Sequence, residues 1–241
     1  MSQAIIANAQ INAVLILANG DYFFGKGFGI FGEIGGELCF NTSLTGYQEI
    51  ISDPSYAGQI INFTFPHLGN IGTNQFDMEA ARPYASGLVV REEISEASNF
   101  RSEENFSAWL KKHQLIGISG VDTRQITQFL RQYGAINGLI FHAKEGQVIE
   151  LPALLEKAKK LPNFKGLELT SKVMRQKAQI WQEEPLNLNY HQPISQNSQP
   201  PRKIVALDYG VKHNILRSLK AYYLTVEVVP AMLGLAAVMQ H

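Results

Sequence analysis

Short runs of β-branched and aromatic residues dominate the apolar pattern of the N-terminal half of the chain. Two of these runs flank the tripeptide NGD within residues 11–28. They predict a β-hairpin, because Asn-Gly tolerates the positive φ angles of a type I′ turn. Further strand-like runs are ELCFN, QIINFTF, SGLVVRE, LIGIS and NGLIFHA. The N-terminal part is therefore predicted to be rich in β-structure, with helices between the later strands.

A first helix is predicted to follow Ser102. The Ser102 hydroxyl is the predicted N-cap, and the two acidic residues after it suit the positive N-terminal end of a helix. The apolar residues that recur at helical spacing are Phe106, Trp109 and Leu110. One face of this helix is thus expected to be buried.

A second helix is predicted to begin at Asp122, because Gln125 follows three residues later as in a capping box. Gly134 supplies a left-handed stop at its other end. The apolar stripe between them consists of Ile126, Phe129, Leu130 and Tyr133. This spacing is typical of core packing rather than of a cofactor site.

The composition changes after residue 175. Residues 176–201 are rich in Gln, Asn and Pro without a sustained period, which predicts a linker between domains 1–175 and 202–241. In the second domain, KIVALDYG and LTVEVVP predict strands and VKHNILRSLKAY predicts a helix. Together they form one β-α-β unit of a parallel sheet. One such unit does not cover both faces of its sheet, so the domain is expected to continue past residue 241.

Composition and charge exclude several classes of partner. The 241 residues are 45% apolar and carry 21 basic and 21 acidic side chains, so no basic field attracts nucleic acid or an anionic membrane. No apolar run approaches the ~18 residues that a membrane-spanning helix requires. The single cysteine cannot form an internal disulfide, and the start of the chain lacks the basic region of a signal peptide. The expected location is the reducing cytoplasm.

The segment GKGFGIFG places Gly27, Gly29 and Gly32 in the spacing of the dinucleotide-binding fingerprint. Asp53 follows near the distance of its acidic ribose ligand. A phosphate cradle requires the glycines to open a helix, whereas the strand-like run EIGGELCF follows here. Turn and bulge glycines are the preferred interpretation. A free-standing nucleotide-binding domain is the alternative, which calorimetry with a dinucleotide tests.

Candidate catalytic and metal-binding side chains are few. Cys39, the only thiol, lies between Leu38 and Phe40, where a small buried hydrophobe is the usual explanation. The sequence gives it neither the helix N-terminus nor the partner histidine that lowers a thiol pKa. The six histidines are His67, His113, His142, His191, His213 and His241. They show no H-E-x-x-H spacing, so no metal site is predicted.

Four long blocks, in order, resemble one known family. The blocks are FNTSLTGYQEIISDPSYAGQIINFTFPHLGNIGTN, ASGLVVREEISEASNFRSEENFSAWLKKH, IGISGVDTRQITQFLRQYGAINGLI and VALDYGVKHNILRSL. They resemble the small, glutamine-hydrolysing subunit of carbamoyl-phosphate synthase over nearly all of residues 11–229. The resemblance implies the fold class α/β. An α+β N-terminal domain with a β-rich sheet and flanking helices precedes the truncated start of a flavodoxin-like class I glutamine amidotransferase domain.

The resemblance also implies partners and a substrate. In the family, the N-terminal domain docks on a large synthetase subunit, and the amidotransferase domain hydrolyses glutamine. Ammonia passes through a tunnel to the large subunit, which uses ATP and Mg²⁺ to form carbamoyl phosphate for pyrimidine and arginine synthesis. This chain itself is expected to hold no cofactor. Ser55 in the motif DPSY corresponds to the serine with which the family contacts glutamine.

The catalytic motifs of the family do not occur in these 241 residues. They are a G-x-C-x-G-x-Q elbow, which carries the nucleophile, and a later His-x-Glu. Cys39 is therefore not the family nucleophile, and no catalytic residue is assigned. The sequence predicts a truncated small subunit that is inactive as a glutaminase. The alternative is a non-catalytic docking module for the large subunit, and a glutaminase assay addresses both.

Overall fold

The computed structural model describes residues 4–164, 166–184, 202–222 and 224–240. Its strands are β1 (Ala4–Ile6), β2 (Ala13–Leu17), β3 (Tyr22–Gly29), β4 (Gly32–Asn41), β5 (Gln59–Phe63), β6 (Gly87–Val89), β7 (Ile116–Ser119), β8 (Ile136–His142), β9 (Val148–Glu150), β10 (Gln179–Ile180), β11 (Arg202–Asp208) and β12 (Leu224–Pro230). Its helices are α1 (Tyr47–Ser52), α2 (Phe106–Lys112), α3 (Thr123–Tyr133), α4 (Leu151–Lys159), α5 (Thr170–Val173), α6 (His213–Ala221) and α7 (Leu235–Val238). This mixture of helices with parallel and antiparallel strands confirms the predicted α/β class.

Seven strands close into a barrel in the order β2-β3-β7-β6-β5-β4-β8. Neighbours among β4, β5, β6 and β7 are parallel, whereas the remaining pairs of the barrel are antiparallel. The barrel core is built from buried aliphatic side chains, among them Leu15, Leu17, Leu38, Ile60, Ile118 and Ile140. Because the four parallel strands run in one direction, their carboxyl ends meet at one end of the barrel. All five predicted strand runs contribute to it.

The predicted hairpin is formed by β2 and β3, which pair antiparallel. Its turn is not the predicted type I′, because Gly20 has a positive φ of 102° and Asn19 does not. The Gly20 N–H donates to the Leu17 oxygen at 2.9 Å, and the Leu17 N–H donates to the Asp21 oxygen at 2.8 Å. The loop is thus one residue longer than a type I′ turn, and the Asn19 side chain bonds to Asp21 within it.

Helix α2 is capped by Asn105, so the prediction of Ser102 as N-cap was wrong. The Asn105 Oδ1 accepts hydrogen bonds from the N–H groups of Ser107 and Ala108. Residues 103 and 104 are held outside the helix because their N–H groups donate to the Thr73 oxygen, at 2.9 and 3.1 Å. The predicted apolar face is confirmed, since it is buried at Phe106, Trp109 and Leu110.

The Asp122 side chain caps helix α3, as predicted, by accepting two backbone hydrogen bonds at 3.0 Å. Ile126 and Leu130 of the predicted stripe are buried. Tyr133 is 66% exposed, so its assignment to the core was wrong. It is the last residue of the helix, and its ring leans on Phe129 with the ring centroids 5.0 Å apart.

The C-terminal unit contains the predicted β-α-β arrangement. Strands β11 and β12 are parallel neighbours on either side of α6 in the chain, and β10 pairs antiparallel with the other side of β12. Val226 and Val228 are buried with Trp181 and Leu216, whereas Leu207 is 42% exposed. Residues 179–181 fall within the predicted linker 176–201 and yet belong to this sheet and its core. Residues 185–201 of that linker lie outside the described residues.

Candidate functional site

Ser55 lies in a short 3-10 turn, Pro54–Tyr56, between α1 and β5. Pro54 starts the turn, where its fixed φ and missing N–H are tolerated. Asp53 caps the turn, because its Oδ1 accepts the Ser55 N–H at 2.9 Å. The Ser55 side chain itself is exposed. The DPSY motif therefore fixes the backbone of Ser55 and leaves its hydroxyl accessible to a ligand.

The second carboxylate oxygen of Asp53 reaches the C-terminal unit. Asp53 is only 4% exposed, and its Oδ2 lies 2.7 Å from the Nζ of Lys212. The hydrogen bond to Asp53 raises the pKa of Lys212, so this lysine is charged at neutral pH. Lys212 is the N-cap residue of α6. One buried carboxylate therefore holds both the turn of Ser55 and the start of α6.

The loop between β11 and α6 packs directly on the DPSY turn. Gly210 in this loop has a φ of 96°, and a Cβ there would lie 2.8 Å from the Val173 Cγ2 and 3.2 Å from the Pro54 Cβ. Asp208 orders the loop by accepting the Gly210 N–H at 2.9 Å. The positive φ and the close approach together favour glycine at this position. Ser55 thus lies at the junction between the barrel and the C-terminal unit.

The N–H groups at the start of helix α6 find their hydrogen-bond acceptors in the barrel part of the chain. Its own N-cap residue, Lys212, makes no side-chain cap. Instead, Glu79 accepts the His213 N–H with its backbone oxygen and the Asn214 N–H with its carboxylate, both at 2.9 Å. A carboxylate is favourable at this position because of the positive end of the helix dipole. Glu79 therefore takes the place of a local capping residue.

Arg217 joins the two units from the middle of α6. Its guanidinium donates to the backbone oxygens of Phe76, at 3.1 Å, and Met78, at 3.3 Å. It also donates twice to the Glu183 Oε2, at 2.7 and 3.0 Å. Only 7% of Arg217 is exposed. The junction is therefore polar and hydrogen-bonded on both sides of α6.

A cavity of about 690 Å³ lies beside this contact, and its wall includes His113, Glu183, His213 and Arg217. Burial lowers the pKa of His213 to about 4, so its ring is neutral at pH 7. Burial also lowers the pKa of His113. Within the described part of the chain, no three His, Cys, Asp or Glu side chains form a group that could hold a metal ion. The cavity thus offers hydrogen-bonding groups and an ion pair.

Cys39 lies on β4 with its thiol 3.7 Å from the Ile60 oxygen of the neighbouring strand. Burial, with a smaller contribution from the charge of Glu37, raises the pKa of this thiol to about 12. A thiol with that pKa is protonated at neutral pH, whereas a cysteine nucleophile reacts as the thiolate. His67 is exposed, and its ring contacts Phe65 with the centroids 5.8 Å apart. Cys39 is therefore unsuited to nucleophilic attack.

The three glycines of the fingerprint spacing belong to the barrel wall. Gly29 and Gly32 end β3 and begin β4, with φ angles of 79° and 133°. A Cβ at Gly27 would lie 2.1 Å from the Cδ2 of His142, whose ring packs against it. The element that follows these glycines is strand β4, so no helix N-terminus faces a phosphate here. Their role is a tight strand connection and close packing.

Comparison with known proteins identifies the family. The model for "Carbamoyl-phosphate synthase small chain, CPSase domain" matches residues 15–140, which cover the barrel from β2 to β8. The chain belongs to the carbamoyl-phosphate synthase small chain family. The resemblance inferred from the sequence blocks is thereby confirmed.

Curated relatives in this family extend the similarity beyond the barrel. The carbamoyl phosphate synthase small chain of Zymomonas mobilis is 45% identical over 227 residues, 94% of this chain and 60% of the relative. Those of Bradyrhizobium diazoefficiens and Mesorhizobium japonicum are 44% and 43% identical, covering 91% and 95% of this chain and 56% and 58% of the relatives. This small chain homologue thus spans less than two thirds of the relatives' length. A solved aminopeptidase from Aneurinibacillus sp. strain AM-1 is similar at 11% identity over 95% of this chain and 49% of that chain, with a TM-score of 0.33.

The sequence pointed to Ser55 but not to the side chains that surround it in this family member. Asp53 and Glu79 form the barrel side of the junction and Lys212 and Arg217 form the other side, and each contact between the two sides joins residues more than a hundred positions apart in the chain. The available signal was an arginine within the predicted helix VKHNILRSLKAY, where Arg217 stands next to Leu216 and two residues before Leu219. In the described ranges, no helix combines the length and apolar character needed to cross a membrane.

Proposed function

We propose that this chain acts as the small subunit part of a glutamine-hydrolysing carbamoyl-phosphate synthase. In that role it engages a large subunit, to which ammonia from glutamine is supplied for carbamoyl phosphate synthesis. The product serves pyrimidine and arginine biosynthesis. Family membership supports the assignment, and the position of Ser55 at the junction is the observation that carries it. ATP and Mg²⁺ belong to the large subunit in this proposal.

Ser55 is the residue proposed to contact glutamine. Its hydroxyl is exposed, and its backbone is fixed by Asp53, which is itself bonded to Lys212. A hydroxyl both donates and accepts, so it can orient either end of an amide. The contact requires the two units to stay together, because only then does the amidotransferase unit, which begins at residue 202, face this turn. The domain division, 1–175 with 176–201 as linker and 202–241 as the amidotransferase start, is part of the same proposal.

A second candidate function is a docking module that makes no ammonia. The protonated Cys39 thiol favours it, because a glutaminase of this class needs a thiolate together with a base. No other thiol is present in the 241 residues. In this form the chain binds the large subunit but supplies no ammonia to it.

Reconstitution with a carbamoyl-phosphate synthase large subunit tests both forms. Complex formation is measured by size-exclusion chromatography with light scattering, and carbamoyl phosphate is measured with ammonia or with glutamine as nitrogen donor. We expect a stable complex that uses ammonia and releases no glutamate from glutamine above background. Failure to form a complex contradicts the subunit assignment. Glutamate release that is lost in Cys39→Ser contradicts the docking-module form.

A further inference from the structure

A cleft of about 500 Å³ opens at the end of the barrel opposite Ser55. Ser55 precedes β5, whereas the cleft lies where the parallel strands finish. Thr42 and Thr64 line it immediately after the last residues of β4 and β5, and Arg91 lines it two residues after β6. Thr123, where the connection from β7 enters α3, lines it as well. Ligands of parallel α/β sheets bind outside the carboxyl ends of the strands, which is the position of this cleft.

One face of helix α3 forms a wall of the cleft. Arg124, Gln128 and Arg131 all line it, and their spacing of four and three residues places them on one side of a helix. The other side of α3 is anchored in the barrel core through Ile126 and Leu130. Two guanidinium groups are therefore presented to the cleft from a fixed helix.

Positive charge in the cleft is not balanced by carboxylates. Arg124 and Arg131 form no ion pair with any described residue. Arg91 has Glu92 at 3.9 Å, with both side chains more than half exposed. The whole chain carries equal numbers of acidic and basic residues, so three guanidinium groups around one cleft are a local excess of positive charge. Guanidinium groups match the geometry of phosphate and carboxylate oxygens.

A buried amide lies directly behind the cleft wall. Asn62 on β5 is 0% exposed, and its Nδ2 donates to the Thr123 oxygen at 3.0 Å and to the Thr127 Oγ1 at 2.9 Å. Thr123 and Thr127 both line the cleft. The Asn62 Oδ1 has no hydrogen-bond donor among the described residues. Buried amide oxygens without a donor are rare in native folds and demand a specific explanation, such as water or an ion.

We propose that this cleft binds a small anionic molecule through its phosphate or carboxylate groups. Arg124 and Arg131 bind the anion from the helix, and Arg91 binds it from the strand end. The hydroxyls of Thr42 and Thr64 donate further hydrogen bonds. The cleft volume falls within the range of about 300–1,000 Å³ that is usual for small-molecule sites. Since Ser55 lies at the other end of β5, such a ligand does not compete with glutamine.

Isothermal titration calorimetry on the 241-residue chain tests this site directly. Pyrophosphate and citrate serve as probes, at ionic strength kept constant with sodium chloride. We expect saturable binding of one molecule per chain for at least one probe, and the stronger probe identifies phosphate or carboxylate as the recognised group. Arg124→Gln and Arg131→Gln should each weaken it by about tenfold or more, because each removes a charged bidentate donor.

The matched control is Lys111→Gln, which removes one positive charge from the exposed side of α2. It should leave the affinity unchanged, since Lys111 does not line the cleft. Equal weakening in this control, or the absence of saturable binding by both probes, overturns the proposal. Binding of a polyglutamate peptide alone also overturns it, in favour of an acidic protein partner. If circular dichroism shows that an α3 variant is unfolded, Arg91→Gln provides the same test from the strand side.

Discussion

The Arg217→Met substitution should separate the C-terminal unit from the barrel. Methionine retains most of the aliphatic volume but removes every donor of the guanidinium. The backbone oxygens of Phe76 and Met78 lose their bonds to Arg217, and the Glu183 carboxylate loses its cation. The bonds to Phe76 and Met78 join the two units, whereas the ion pair to Glu183 lies within the C-terminal unit, so the loss falls on the junction and on that unit rather than on the barrel.

The size of the effect follows from burial. Hydrogen bonds from a charged group contribute about 1.5–3 kcal/mol each when they are buried. The ion pair to Glu183 adds less, about 0–1 kcal/mol, because the Glu183 side chain is 50% exposed. Part of the loss at the two backbone oxygens is recovered by water, so we expect a total destabilisation of about 2–4 kcal/mol.

The two tryptophans allow the units to be followed separately. Trp109 is buried in the barrel part on α2, and Trp181 is buried in the core of the C-terminal unit. Urea unfolding is recorded by fluorescence of the variants Trp109→Phe and Trp181→Phe, each with and without Arg217→Met. The Trp181 transition should move to lower urea and separate from the Trp109 transition.

The control for this experiment is Lys220→Met, one turn further along α6. Lys220 contacts the Gln182 oxygen and Glu184, which belong to its own unit, so we expect a loss of at most about 1 kcal/mol. If the Trp181 transition has the same urea midpoint in Arg217→Met as in Lys220→Met, the guanidinium does not stabilise the junction and the prediction is wrong.

Three further predictions concern Cys39, Ser55 and His213. Cys39 should react with an uncharged thiol reagent at pH 7 far more slowly than a free cysteine, because burial raises its pKa to about 12; reaction at the free rate contradicts its burial. In a chimera completed with the remaining length of the Zymomonas mobilis small chain, Ser55→Ala should weaken glutamine-dependent synthesis by about 0.5–1.5 kcal/mol and leave ammonia-dependent synthesis unchanged; unaltered glutamine kinetics count against the contact. The folded-state pKa of His213 lies near 4, below its unfolded value of 6.5, so the unfolded state binds the proton first as the pH falls. The free energy of unfolding is therefore highest above pH 6.5 and decreases as the pH falls towards 4. For this partly exposed ring we expect a loss of about 1–2 kcal/mol in Trp181-monitored unfolding, absent in His213→Gln; identical pH profiles would refute it.

Local patterns predicted local structure well. The strand runs and the Asp122 cap depend on neighbouring residues, and the structure confirms them. The error at Ser102 has a non-local cause, whereas the error at Tyr133 arises because this residue is the last of α3. Residues 103 and 104 are drawn away from α2 by hydrogen bonds to Thr73, which is thirty residues earlier in the chain. No local pattern contains that partner.

The candidate site was predicted only in part for the same reason. The DPSY motif located Ser55, but Lys212 reaches Asp53 across more than 150 residues. On α3 the apolar stripe predicted the buried face. The spacing of Arg124 and Arg131 places both on the opposite face, and this is also visible in the sequence. What the sequence could not show is that three other strand ends meet this face, because that depends on the closure of the barrel.

The capping of α6 by Glu79 makes the helix dependent on a distant segment for its first turn. Before the barrel part has folded, the N–H groups of His213 and Asn214 lack these acceptors, so α6 should become fully ordered only after Glu79 is in place. The same bonds act in the native protein. Any rotation of the C-terminal unit away from the barrel must first break these two hydrogen bonds and leave the first N–H groups of α6 without acceptors. Slow amide hydrogen exchange at residues 213 and 214 would therefore report on the closed junction itself.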